Sequence, residues 1–154
     1  MSNKDMIALQ ALYRKKIEGW NEADGQKFAE PYSEDADFIG FDGTHLSGRC
    51  EIAEFHQMLF DKFLKGSLLI GKIKSIKFPI PNVAIIVAIS GTIEANQTGI
   101  NPERNSIHTI VAINHKDSKQ WYFTAFQNTR ATYMGRPEKT AQLTQEIEQL
   151  RKSG

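Results

Sequence analysis

Residues 83–129, VAIIVAISGTIEANQTGINPERNSIHTIVAINHKDSKQWYFTAFQNT, decide the fold class. β-Branched and aromatic side chains dominate three runs: Val83 to about Thr98, Ser106 to His115, and Gln120 to Thr129. A loop at Gly99 to Arg104 and a polar turn at Lys116 to Lys119 separate them. Leu68 to Phe78 precedes them as a further strand ending at a Pro79/Pro81/Asn82 turn, so the second half reads as a long antiparallel meander. Side chains alternate between the faces of a strand. Odd positions are bulky: Val83, Ile85, Val87, Ile89 and Ile93, then Ile107, Val111 and Ile113, then Trp121 and Phe123. Even positions mix small side chains with polar ones: Ile86, Ala88, Ser90 and Thr92, then Ser106, His108, Ile110 and Ala112, then Tyr122, Thr124, Phe126 and Asn128.

The N-terminal half follows a different period. Ser2 and Asp5 form a capping box, and Met6, Leu9, Tyr13, Ile17 and Trp20 mark one apolar stripe of a helix. Asp24 caps a short second helix carrying Phe28 and ended near Pro31. Asp37 to Phe41 is extended, Asp42-Gly43 signals a hairpin, and Thr44 to Leu46 pairs back. Ser47 then caps a longer helix with Ile52, Phe55, Leu59 and Phe63 on its buried stripe and His56 one step round. Beyond Gly135 and Pro137, residues 138–152 form a polar helix whose apolar line is Leu143, Ile147 and Leu150, and weak packing on the body or on a neighbour is expected of it. Helices followed by strands predict an α+β fold, a curved antiparallel sheet with helices on one face. Residues 1–135 form a single domain and 136–154 a polar helical tail.

Composition excludes several function classes. With 154 residues, 40% hydrophobic, the chain suits one domain with a sizeable core. Nineteen basic against eighteen acidic residues leave no global field to recruit nucleic acid or an anionic membrane. Lys72, Lys74 and Lys77 read as the solvated edge of a sheet. The single Cys50 excludes an internal disulfide, fits a reducing compartment and reads as a small buried side chain. Lys4, Asp5, Arg14, Lys15 and Lys16 interrupt any apolar run near the N-terminus, so neither a signal peptide nor a membrane span is expected, and the default location is cytoplasmic.

Both sheet faces are too apolar to lie in water, and helices cover only one. The bulky odd face is therefore expected to form a homodimer with a second copy. The even face, small and polar, turns toward the helices and leaves room for a small apolar ligand. His56 and His108 are the candidate acid–base residues in that hollow. Tyr13, Trp20, Phe41, Ser90, Ile110, Tyr122, Phe126 and Asn128 are the candidate ligand-binding residues. A neutral imidazole takes a proton from carbon beside a carbonyl, while Asn128 and Tyr13 supply hydrogen bonds to the oxygen. The competing reading is that both histidines bond backbone groups inside a filled core. No metal site is expected, because His45, His56, His108 and His115 lack ligand spacing. Arg49 is a candidate partner for Asp35 or Asp37, and Gln127 faces the interface.

The runs PYSEDADFIGFDGTHLSGR, EIAEFHQMLF, PNVAIIVA and WYFTAFQNT together resemble the nuclear transport factor two-like superfamily with its cystatin-like cone, over roughly residues 5–130. Within it the chain looks most like SnoaL-like proteins of the SgcJ/EcaC type. The resemblance implies a dimer and a fold that serves isomerases, cyclases, dehydratases and plain binding modules alike. Ketosteroid-isomerase-like members carry a base Asp where this chain has Gly40, and Asp42 is accounted for by the turn. EFHQMLF is also similar to a helix of the association domain of calcium/calmodulin-dependent protein kinase, which implies an interior role for His56. The arginines of that domain's pocket are replaced at the matching positions by Ser90, Ile110 and Asn128. No GxGxxG turn or cysteine pair supports redox chemistry, and no cofactor is expected. Two functions stay open: cofactor-independent isomerisation, cyclisation or dehydration of an apolar carbonyl compound, and non-catalytic binding or association by a dimeric module.

Overall fold

The computed structural model describes residues 3–153, so Ser2 and its share of the capping box lie outside the described residues. Helix α1 (Asn3–Asn21) is followed by α2 (Gly25–Ala29), β1 (Tyr32–Ile39), β2 (His45–Ser47) and α3 (Arg49–Asp61). Then come β3 (Leu68–Ile80), β4 (Val83–Ile93), a single 3-10 turn at Pro102–Arg104, β5 (Ser106–Asn114), β6 (Trp121–Arg130) and α4 (Pro137–Ser153). The strands form one six-stranded curved sheet in the order β2-β1-β6-β5-β4-β3. The α+β reading holds, with one correction to a wholly antiparallel sheet. β1 runs parallel to β6, pairing Phe38 with Phe126 and Ile39 with Gln127. Most of the chain lies between these strands, so no tight turn forces them to run oppositely.

Helices α1, α2 and α3 pack on one sheet face, where Leu9, Phe28, Ile52 and Phe60 meet Ile86, Ala88, Ile110 and Ala112. Asp24 caps α2, its carboxylate accepting from the Lys27 amide at 3.0 Å. The expected Ser47 cap of α3 does not form. Ser47 is still strand, its amide donates to Glu51 Oε2 at 2.7 Å, and Gly48 occupies the cap with φ +91°. A Cβ there would stand 2.9 Å from the Glu34 carbonyl oxygen, so only glycine fits this approach. With its start so placed, α3 buries Ile52, Ala53, His56 and Phe60 and ends at Asp61, so that Phe63 falls in the turn beyond it, 77% exposed, and His56 lies within the buried stripe rather than at its margin. Cys50, in its first turn, is exposed rather than buried.

One extra residue changes the parity of β6. Ala112 pairs with Phe123 but Val111 with Ala125, leaving Thr124 as a bulge. Residues beyond the bulge keep even positions inward. Before it the sense reverses, so Trp121 and Phe123 belong to the helix-side core and Tyr122 turns to the opposite face. This corrects the expected placement of all three.

The outer face carries its own cover at one end. Leu143 and Ile147 of α4 pack with Ile89, Ile93 and Ile100, and Ile147 is fully buried. Lys72 and Lys74 of the edge strand β3 both reach Glu146 of α4, Lys72 at 3.2 Å. The polar helix thus sits firmly on the sheet. Removing the Ile147 side chain leaves a hole among aliphatic neighbours, so Ile147→Ala should cost about 2–4 kcal/mol in urea unfolding. A loss below about 1 kcal/mol would mean that α4 contributes little to the fold.

Candidate functional site

Small side chains on the inner face leave a cavity of about 180 Å³ between sheet and helices. This exceeds the ~150 Å³ apolar hole that accepts one benzene and falls below the ~300 Å³ of drug-sized sites. Its scale is one ring. Leu46, Phe55, Leu59, Leu64 and Leu69 supply much of its apolar wall, and exposed Phe41 and Asp42 mark its rim.

Of the residues singled out from sequence, His56, His108, Trp20, Phe41, Ser90, Phe126 and Asn128 line this cavity. Three do not. Tyr13 is buried and its hydroxyl donates to the Ile89 carbonyl at 3.3 Å, an approach that Gly71 permits, since a Cβ there would meet that hydroxyl at 2.8 Å. Ile110 is filled into the core with no exposure. Tyr122 lies on the other face because of the Thr124 bulge, its hydroxyl donating to Gln120 Oε1 at 2.8 Å. Gly40 lines the cavity, while Asp42 accepts from the Thr44 amide at 3.0 Å as a turn residue. Arg49 does not hold Asp35 or Asp37: its Nε donates to the Tyr32 carbonyl at 2.6 Å, and Asp37 pairs with His45 at 2.8 Å.

Both imidazoles are oriented alike. His56 Nδ1 donates to the Ile52 carbonyl at 2.8 Å, and the ring stacks on Phe28 at 4.1 Å between centroids. His108 Nδ1 donates to Asn128 Oδ1 at 3.0 Å. In each neutral ring the lone pair therefore resides on Nε2, and that of His108 is buried without a partner among the described residues. Burial, and then the nearby Lys16 charge, hold both rings neutral; His56 is brought down to about 4 and His108 well below its ordinary range.

Lys16 was missed in the sequence. It is 3% exposed, lines the cavity, and has no hydrogen-bond or ion-pair partner among the described residues. Its Nζ stands 4.1 Å from the Phe126 ring centre, 5.4 Å from Phe28 and 5.7 Å from Tyr13. Burial pulls its pKa from 10.5 to about 7. Leu9, Tyr13, Lys16 and Gly19 form the buried line of α1, so a stripe drawn through Lys16 instead of Ile17 was the available signal. Arg104 and Arg130 were also missed. Arg130 follows Asn128 at the same parity, donates to the Arg104 carbonyl at 2.9 Å and lies over Phe41 at 4.0 Å. Burial, and then the Arg104 charge, lower it to about 10, with Asp42 opposing. Among the described residues three cations line the cavity against one carboxylate, Asp42, at the rim.

Unfolded, Lys16 keeps its proton to about pH 10.5; folded, only to about 7. Stability therefore rises with pH across that window, and the cost of the buried charge is complete below it. Lys16→Met should raise stability by about 2–4 kcal/mol near pH 6, with the gain shrinking toward pH 10, as read by urea unfolding. His56 acts in the acid range: stability should fall as pH drops from 6.5 to about 4, where the folded ring must charge. A pH-independent difference between Lys16→Met and the parent would contradict the buried-charge account.

No family model matches the chain, and no curated protein matches it. Solved structures do match. A Nostoc punctiforme domain of unknown function with a cystatin-like fold is 32% identical, with a TM-score of 0.84 covering 99% of each chain. A nuclear transport factor two-like protein with a cystatin-like fold from Novosphingobium aromaticivorans is 13% identical with a TM-score of 0.69, over 89% of this chain and 88% of that one. A ketosteroid isomerase-like protein from Erwinia carotovora atroseptica is 14% identical with a TM-score of 0.67, over 85% of this chain and 99% of that one. The last two likenesses show the fold alone. The first extends at 32% identity over nearly the whole of both chains, and on it the chain belongs to the same family of cystatin-like-fold domains as the Nostoc protein.

Proposed function

We propose that this protein binds a largely apolar carbonyl compound of about one ring's size in the inner cavity and moves a proton to or from it. The observation that carries this reading is an ammonium, Lys16, without a hydrogen-bond or ion-pair partner among the described residues, lining an apolar hollow with two imidazoles whose Nδ1 atoms are both engaged, the buried Nε2 of His108 having no partner among those residues. A neutral imidazole accepts the proton on carbon next to the carbonyl, and the ammonium stabilises the charge that develops on oxygen. Asn128 is committed to orienting His108 and Tyr13 to the Ile89 carbonyl, so Lys16 takes over the role first given to them. Isomerisation, cyclisation and dehydration all pass through such a step. The ketosteroid isomerase-like neighbour is consistent with that class, although Gly40 stands where the resemblance implies a base Asp.

The measurement that separates chemistry from binding is deuterium exchange. A one-ring ketone, incubated with the protein in heavy water, should exchange the hydrogens beside its carbonyl faster than in buffer. His56→Ala and His108→Ala should each reduce that acceleration by roughly 10²-fold or more. Thermal stabilisation by the ketone without faster exchange would favour a non-catalytic binding module. Absence of both would remove the cavity from the function.

The dimer is also a proposal. Beyond α4, the outer face presents the cross-strand pairs Val83–Ile113 and Ile85–Val111, with Ile85 38% exposed. Apolar pairs of this kind suit a twofold contact with a second copy. Ile85→Asp should convert a dimer to a monomer in light scattering, with a parent that is already monomeric as the refuting result.

A further inference from the structure

We propose that Lys16 is a nucleophile, forming an imine with the carbonyl carbon of an aldehyde or ketone held in the inner cavity. This rests on the reading of that cavity as a ligand site and goes beyond proton transfer within it.

The placement of the amine is the first support. Lys16 leaves the middle of α1 toward the cavity, and its Nζ is surrounded by the rings of Phe126, Phe28 and Tyr13. Among the described residues no carboxylate pairs with it, and the one carboxylate of those residues that lines the cavity, Asp42, is exposed at the rim. A lysine on the solvated face of a helix escapes into water; this one is 3% exposed. A desolvated amine among apolar groups releases its proton readily, and its pKa of about 7 leaves a large neutral fraction at ordinary pH.

The neighbours supply the rest of the chemistry. His108 lies 5.0 Å from the Phe126 ring, and His56 stacks on Phe28, so both imidazoles contact rings that the amine also faces. The Lys16 lone pair attacks the carbonyl carbon, forming a C–N bond as the C=O pair moves onto oxygen. The nitrogen loses its two protons in turn, and the oxygen leaves with both as water. An Nε2 lone pair of His108 or His56 accepts the first proton and returns it to the departing hydroxyl. Amine and carbonyl go to imine and water, with no oxidant or reductant. The other groups facing the amine, the neutral imidazoles and the Tyr13 hydroxyl, carry no charge at pH 7, and the guanidinium groups of Arg104 and Arg130 also line the cavity.

The test uses the whole chain with benzaldehyde and cyanoborohydride near pH 7, which reduces an imine to a stable benzylamine, followed by peptide mapping. Benzyl alcohol, which fills the same space but forms no imine, is assayed in parallel by thermal shift. The result expected is stabilisation by the alcohol and benzylation of Lys16 in roughly ten- to hundredfold excess over any exposed lysine, since only about one in a thousand ordinary lysines is neutral at pH 7. Labelling of Lys16 should also level off above pH 7 while exposed lysines continue to rise. The variant His108→Gln should slow trapping at Lys16 without altering the exposed lysines, which a purely structural Lys16 would not produce. Stabilisation by the alcohol with label confined to exposed lysines overturns the imine and leaves the cavity reading standing. No stabilisation by the alcohol and no label at Lys16 overturns both.

Discussion

The in-register ladder of β4, β5 and β6 is the constraint from which the remaining features follow. His108 sits opposite Ala88 on one side and Asn128 on the other, while Ser90 faces Ser106. Small residues on the inward side let α1 and α2 approach the sheet and still leave a gap one ring wide. The same register hands His108 its hydrogen-bond partner on the adjacent strand. A slip of one residue would turn every one of these side chains outward. The bulge at Thr124 confines that arrangement to the end of β6 where the cavity lies, while Phe123 fills the core at the other end.

Electrostatics in the cavity is collective. Lys16 is buried without a counter-charge among the described residues, and its field is one of the causes holding both imidazoles neutral. The backbone carbonyl of Ile52 and the amide oxygen of Asn128 select the tautomer, so both rings offer lone pairs to whatever occupies the space. Low-dielectric surroundings make such groups costly when unsatisfied and effective when a ligand supplies the missing partner. This combination of an apolar wall, free acceptors and one unpaired ammonium is a poor way to stabilise a core and a suitable way to hold a polarised carbonyl.

Several parts of this arrangement were legible in the sequence because they depend on local chemistry. The switch from helical to alternating period near Gly66, the Asp24 cap, the Asp42-Gly43 turn and the inward parity of Ser90, His108 and Asn128 all arise from residues close together in the chain. Other parts were read wrongly. Ser47 has the chemistry of a helix cap, yet strand β2 claims it and Gly48 starts the helix. Lys16, in the run Arg14-Lys15-Lys16, looks like a solvated face, and only the packing of α1 on the sheet shows it facing inward.

Periodicity, capping and turn chemistry in the sequence by themselves determined the element types, the α+β class and the two histidines on the inner side, because each is set within a few residues. The tertiary structure alone decided the parallel seam between β1 and β6, the extra residue at Thr124, the seating of α4 on the outer face and the burial of Lys16. Each of these depends on contacts between segments far apart in the chain. The free energy that selects them is a sum over packed neighbours, and no local pattern carries that sum.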